Sequence, residues 1–149
     1  MTDNEKEILI KEICTGLPFG TRYFVQSNEN PQILSKNEKI SYDMLGVYVR
    51  LVKEGTHIVK PYLKPLSSMT DDEKKELWVA IDKDMDIIED NLDAPTIHTY
   101  NGRVYRGNLI HYEEDFLKAN HFDYRGLIPM GLAIKVTDEN NPYKDEITQ

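Results

Sequence analysis

Val59-Lys60-Pro61-Tyr62-Leu63-Lys64-Pro65-Leu66-Ser67-Ser68-Met69-Thr70-Asp71-Asp72-Glu73 reads as an extended strand that passes into a helix. Pro61 and Pro65 lack a backbone donor and push Lys60 and Lys64 toward extended geometry. Thr70 and Glu73 have the spacing of a capping box, with Asp71 and Asp72 in the first turn, where the helix dipole favours negative charge. The stretch therefore orders the fold. None of its side chains implies chemistry.

Downstream of that cap, Leu77, Ile81, Met85, Ile88 and Leu92 recur at helical spacing, which predicts one helix from Asp71 to about Leu92, ended by Ala94-Pro95. Upstream, Val47, Val49 and Leu51 alternate with Tyr48, Arg50 and Val52, the pattern of a strand. Glu54-Gly55-Thr56 turns into His57-Ile58-Val59, which continues through Tyr62 and Leu63 as an edge, because its prolines would break a central ladder. With β-rich Thr21–Gln26 and a return over Gln32–Ser35, these strands predict an antiparallel meander.

Toward the ends, residues 3–15 read as a helix capped by Asp3, with Leu9, Ile10, Ile13 and Cys14 on one apolar stripe and Gly16 as a left-handed stop. Asn101-Gly102 between β-rich runs predicts a hairpin within Thr96–Tyr105. Asn108 then caps a helix of about ten residues, with Leu109, Phe116 and Leu117 inward. Asp123 caps a short helical turn, Arg125 ties back to a carboxylate, and Leu132–Val136 forms a last strand after Gly131. From Asp138 the chain is polar and expected to be loose. The expectation is a single α+β domain over 1–149: a small antiparallel β-meander of three or four strands, three or four packed helices and one added hairpin.

Composition limits the function classes. A net charge of −8 argues against direct nucleic-acid binding, which needs basic side chains on phosphates. Ten acids against three lysines between Asp71 and Asp93 hold seven of those eight charges. Such a helix could mimic nucleic acid and fill the basic groove of another protein, although a solvated face explains the same pattern. No apolar run is long enough for a membrane helix, and the acidic N-terminus is unlike a secretory signal. A lone cysteine, Cys14, fits a reducing cytoplasm, that of a bacterial host.

Candidate chemistry is sparse. Asp82, Asp84, Asp86, Asp90 and Asp93 copy calcium-loop spacing, but Ile87 stands where the sharp turn needs glycine. His111, Asp115 and His121 could serve a metal-dependent hydrolase, with His111 and Asp115 one helical turn apart, yet no second helix offers a matching pair. Cys14 lies on an apolar stripe, away from any base. Ser67-Ser68 is no nucleophile elbow, and the glycines lack phosphate-loop spacing. No catalytic residue, metal ligand or cofactor is assigned, so the reading is non-enzymatic. Tyr100, Arg103, Tyr105 and Arg106, with Tyr124 and Arg125, form the candidate binding set, because Tyr and Arg are enriched in interfaces. The expected partner is another protein, with no membrane and no nucleic acid.

The stretch Lys60–Thr70 with its trailing acids resembles a signature of small uncharacterised proteins from gut anaerobic bacteria and their phages or prophages. His121-Phe122-Asp123-Tyr124-Arg125-Gly126-Leu127-Ile128 through Gly131-Leu132-Ala133 is similar to the C-terminal hallmark of that group. Ile10–Cys14 with Leu17-Pro18-Phe19-Gly20 is similar too, whereas the hairpin around Asn101-Gly102 departs from the pattern and reads as an insertion. The resemblance implies an intracellular accessory protein of a mobile element. It implies no reaction.

Overall fold

The computed structural model describes residues 1–77 and 115–144 in full, and 97–100, 103–106 and 110–114 as backbone. The fold is α+β. The chain forms two compact units, Met1–Leu66 with His121–Gln149 and Ser67–Asn120.

In the first unit, helix α1 (Asp3–Gly16) begins with a capping box in which Thr2, rather than the expected Asp3, is the cap. The Thr2 hydroxyl accepts from Glu5 N–H at 3.1 Å, and the Glu5 carboxylate accepts from Thr2 N–H at 3.0 Å. Those bonds hold the Glu5 carboxyl below its ordinary pKa. Leu9 and Ile13 are fully buried, but Cys14 is exposed and Glu12 is buried in its place. Gly16 is right-handed, and the left-handed residue of this corner is Gly20 at φ 70°. Gly16 answers a packing need instead: a Cβ there would lie 2.7 Å from Thr21 Oγ1.

Strands β1 (Arg22–Ser27) and β2 (Leu34–Lys39) form a hairpin, with a bulge between the Tyr23 and Val25 pairs. The segment expected as the next strand is helix α2 (Leu45–Glu54). Its alternation of valines is real, but Tyr48 and Val52 with half-buried Leu45 and Leu51 also draw a helical stripe, and packing against the sheet selects it. Left-handed Gly55 ends α2, donating to Leu51 and Val52 carbonyls at 3.0 and 3.2 Å.

Strand β3 (His57–Leu63) pairs antiparallel with β1, so β1 lies between β2 and β3 and the sheet is no simple meander. Nor is β3 an edge. Strand β6 (Ile134–Lys135) joins it in parallel, at Tyr62 and Leu63 alone, beyond Pro61. The order is β2-β1-β3-β6. Register divides the sheet's faces: Tyr23, Val25 and Val59 pack with Leu9, Ile13 and Val52 from the helices. Tyr62 and Phe24 pack on the other face with Val136 and Tyr143.

In the second unit, helix α3 starts at residue 71 and is described to residue 77. Its capping box is present, with Thr70 N–H to Glu73 Oε1 at 3.0 Å and Glu73 N–H to Thr70 Oγ1 at 3.2 Å. The rest of the expected acidic helix, with its carboxylates from Asp82 to Asp93, lies outside the described residues. Strands β4 (Ile97–Tyr100) and β5 (Arg103–Arg106) pair antiparallel, Tyr100 opposite Arg103, the register expected of a two-residue hairpin. Helix α4 (Ile110–Ala119) follows, with Leu117 buried; the expected Asn108 cap and Leu109 lie outside the described residues. Among the described residues no helix is long and apolar enough to cross a membrane.

Candidate functional site

A polar node closes the first unit where its two chain segments meet. Arg125 Nη1 lies 3.4 Å from Glu12 Oε2, the carboxylate tie expected for this arginine, and both side chains are largely buried. Asp123 is the expected cap, although it organises a turn rather than a helix. Its two carboxylate oxygens accept from Leu127 N–H at 2.8 Å and Ile128 N–H at 2.9 Å. Gly126 and Gly131, both at φ 76°, shape that turn, and Leu132 N–H closes it on the Leu127 carbonyl at 3.0 Å.

Within the C-terminal stretch expected to be loose, Tyr143 is instead built into this node, and residues 145–149 lie outside the described residues. The Tyr143 hydroxyl donates to the Tyr62 carbonyl at 2.7 Å and accepts from Arg22 N–H at 2.9 Å. The Tyr143 ring stacks on His121 with centroids 3.6 Å apart and planes at 7°. His121 is left-handed at φ 61°, and its carbonyl accepts from Lys64 N–H at 2.7 Å. Nearby, burial first and the Glu12 charge second push the Tyr23 phenol far above its ordinary pKa. The node is a structural lock, and its groups are inside.

The candidate binding residues separate accordingly. Arg125 is engaged by Glu12, and its guanidinium carbon lies 5.1 Å from the centroid of the half-buried Tyr124 ring. Tyr100, Arg103, Tyr105 and Arg106 are on the β4–β5 hairpin of the second unit, with Tyr100 paired to Arg103. Of the metal candidates, His111 and exposed Asp115 are on α4, and His121 is in the first unit, beyond the end of that helix. Among the described residues no group of three His, Cys, Asp or Glu is placed to hold a metal ion.

The surface that stands out was not singled out from the residues. Beside β2 and α2 a groove of about 330 Å³ is lined by Val25, Ile33, Leu34, Met44, Val47 and Leu51. Ile33 is 64% exposed, Leu34 42%, Met44 44% and neighbouring Tyr42 73%. The wall is fixed: Tyr48 donates to Glu38 at 3.0 Å, and Ser27 N–H and Ile33 C=O bond at 3.1 Å. Burial, then the bond and charge of Glu38, push the Tyr48 phenol up to about 12. The adjoining edge of β2 carries exposed Lys36 and Lys39 and the bulge, devices that discourage addition of another strand. What the flank offers is therefore apolar side chains rather than a backbone edge.

No family model, curated protein or solved structure matches this chain.

Proposed function

We propose that this protein is a small non-enzymatic factor that binds another protein, an accessory of a phage or other mobile element acting in the cytoplasm of its bacterial host. The observation that carries the reading is the exposed apolar strip of Ile33, Leu34, Tyr42 and Met44 around the β2–α2 groove. Folded chains seldom leave large contiguous apolar patches in water unless another molecule covers them. At about 25 cal/mol per Å² of apolar surface removed from water, even part of this strip gives a partner a useful increment of affinity. The guarded β2 edge favours a partner that inserts side chains over one that adds a strand. Tyr100, Arg103, Tyr105 and Arg106 on the hairpin supply a second contact set of the composition interfaces favour.

The test is capture from host lysate with the wild type and with Ile33→Asp/Met44→Asp. A protein retained by the first and lost by the second supports the reading. Identical retention profiles from the two, with both folded, would remove it.

A further inference from the structure

The two faces of the four-stranded sheet differ in charge. Tyr23, Val25 and Val59 turn toward the helices, so the residues between them in the strands turn the other way. On that outer face Lys39 stands opposite Arg22, and Phe24 opposite Lys60. Lys36 lies in the bulge, between the Val25 and Tyr23 pairs. Strands β1, β2 and β3 hold one carboxylate, Glu38, which pairs with Tyr23 on the inner face and accepts the Tyr48 hydroxyl. These strands therefore supply the outer face with lysine and arginine and no acid, in a chain of net charge −8.

The face is open on its β2 side. Lys36 and Lys39 are exposed, Leu34 is 42% exposed, and Phe24, Gln26, Ile58 and Lys60 are half-buried. Val136 and Tyr143 pack at the other end, against Tyr62. Leu34 and Ile58 stand on either side of Gln26, which sets an apolar row beside the cations. Protection of the sheet edge accounts for lysines on β2, but not for the same sign on central β1 and again on β3. The Arg22–Lys39 pairing even works against the sheet, because like charges directly opposite destabilise it.

At physiological ionic strength charges more than about 8 Å away are largely screened, so a group arriving here answers to these lysines rather than to the net charge. Single-stranded nucleic acid also uses aromatic rings laid open for base stacking. Phe24 is half-buried and Tyr62 is buried, so carboxylates suit the face better than bases. Strands β2 and β3 are two spacings apart, about 10 Å, a distance that about three residues of extended chain span.

We infer that the outer sheet face binds an acidic segment of a partner protein, its carboxylates on Lys36, Lys39 and Lys60 and an apolar side chain on Leu34 and Ile58. The surface adjoins the β2–α2 groove at Leu34 but does not depend on it.

The experiment titrates the full chain with a short peptide of alternating aspartate and leucine, with its lysine–leucine counterpart and with oligothymidylate, read by calorimetry and backbone amide NMR. The acidic peptide should saturate by low-millimolar concentration, move the amides of residues 22–26, 34–39 and 58–60, and weaken as salt rises. The lysine peptide should not bind. Lys39→Glu and Lys60→Glu should each weaken the acidic peptide by about fivefold or more, and Lys39→Arg should retain it. Met44→Ala, which trims the groove alone, should leave the affinity unchanged, so failure of the groove reading would not remove this one. Circular dichroism establishes that the variants are folded; should either glutamate variant unfold, the glutamine variant at that position is titrated in its place. No saturation at low-millimolar concentration, a lysine peptide that binds as well as the acidic one, indifference to both lysine reversals, or loss of binding through Met44→Ala would overturn the inference. So would tighter binding of oligothymidylate, which would make the face a nucleic-acid surface.

Discussion

Around the C-terminal half of α1, charged and hydrogen-bonding side chains are inside: Glu12, His121 and Asp123 are all exposed by 8% or less. Beside β2 and α2 the reverse holds, with Ile33, Leu34, Tyr42 and Met44 outside. The two regions belong to one compact unit, so the difference is not one of overall stability or composition. At the node, the Glu12–Arg125 pair and the Tyr143 hydroxyl join late segments of chain to early ones, and Asp123 fixes the turn between them. At the flank, large apolar side chains are left in water. Burial of polarity here secures the chain; exposure of apolarity is what the proposed binding role rests on.

Substitutions at the node should therefore cost stability, and substitutions at the flank should cost binding. The largest effect is expected from Arg125→Met, which takes the ion-pair partner from the buried Glu12 carboxylate. Loss of one member of a buried pair costs about 3 kcal/mol or more, measured by urea unfolding. Adding Glu12→Leu should recover most of that loss. A cost under about 1 kcal/mol would mean that the pair is effectively solvated, and the contrast would fail.

Tyr143→Phe comes next. It removes the donor to the Tyr62 carbonyl and the acceptor for Arg22 N–H, so about 1–3 kcal/mol should be lost in thermal unfolding. Cleavage between residues 138 and 144 by limited proteolysis in the variant, but not in the wild type, would sharpen the point.

The groove wall gives a pH signature. Tyr48 has its phenol pKa raised from 10.0 to about 12 in the folded chain, so the folded state holds that proton more tightly than the unfolded one. Its contribution is complete below pH 10.0 and is lost as pH rises through about 12. The slope per phenol is at most about 1.4 kcal/mol per pH unit. Tyr48→Phe should be less stable than wild type at neutral pH, and the gap should narrow above pH 10. A gap constant to pH 12 would show that the wall opens to water.

The smallest effect on stability is expected at the flank. Ile33→Asp/Met44→Asp should change unfolding free energy by no more than about 0.5 kcal/mol per site, as exposed positions do. A much larger loss would mean that these side chains serve the core, and the proposed partner surface would disappear.

Several devices were legible because they are local. The Thr70–Glu73 capping box, the Asn101-Gly102 hairpin register and the Arg125 tie to a carboxylate each depend on a few neighbouring residues or on a charge that must be answered. Where two local patterns coexisted, sequence could not choose. Leu45–Glu54 carries both a period of two in its valines and a helical stripe through Leu45, Tyr48 and Val52. The core formed by α1 and β1 decided for the helix. Gly55 and the lysine before it, Lys53, were the signals that favoured this outcome.

Cys14 and Glu12 teach the same lesson at the scale of one side chain. An apolar stripe placed Cys14 inside, but the helix buries the next face round, because Arg125 arrives there from more than a hundred residues away to neutralise Glu12. Tyr143 likewise sits in a polar tail that looks unstructured until Tyr62 and His121 are beside it.

By itself the sequence determined the α+β class, the Thr70–Glu73 capping box, the β4–β5 hairpin register and the acidity. These follow from propensity, period and charge, which act over a few residues. The tertiary structure alone decided the strand order β2-β1-β3-β6, the parallel β6, the buried lock and the β2–α2 groove. Each of those requires groups far apart in the chain to meet, and the free energy of such a meeting is a property of the packed whole.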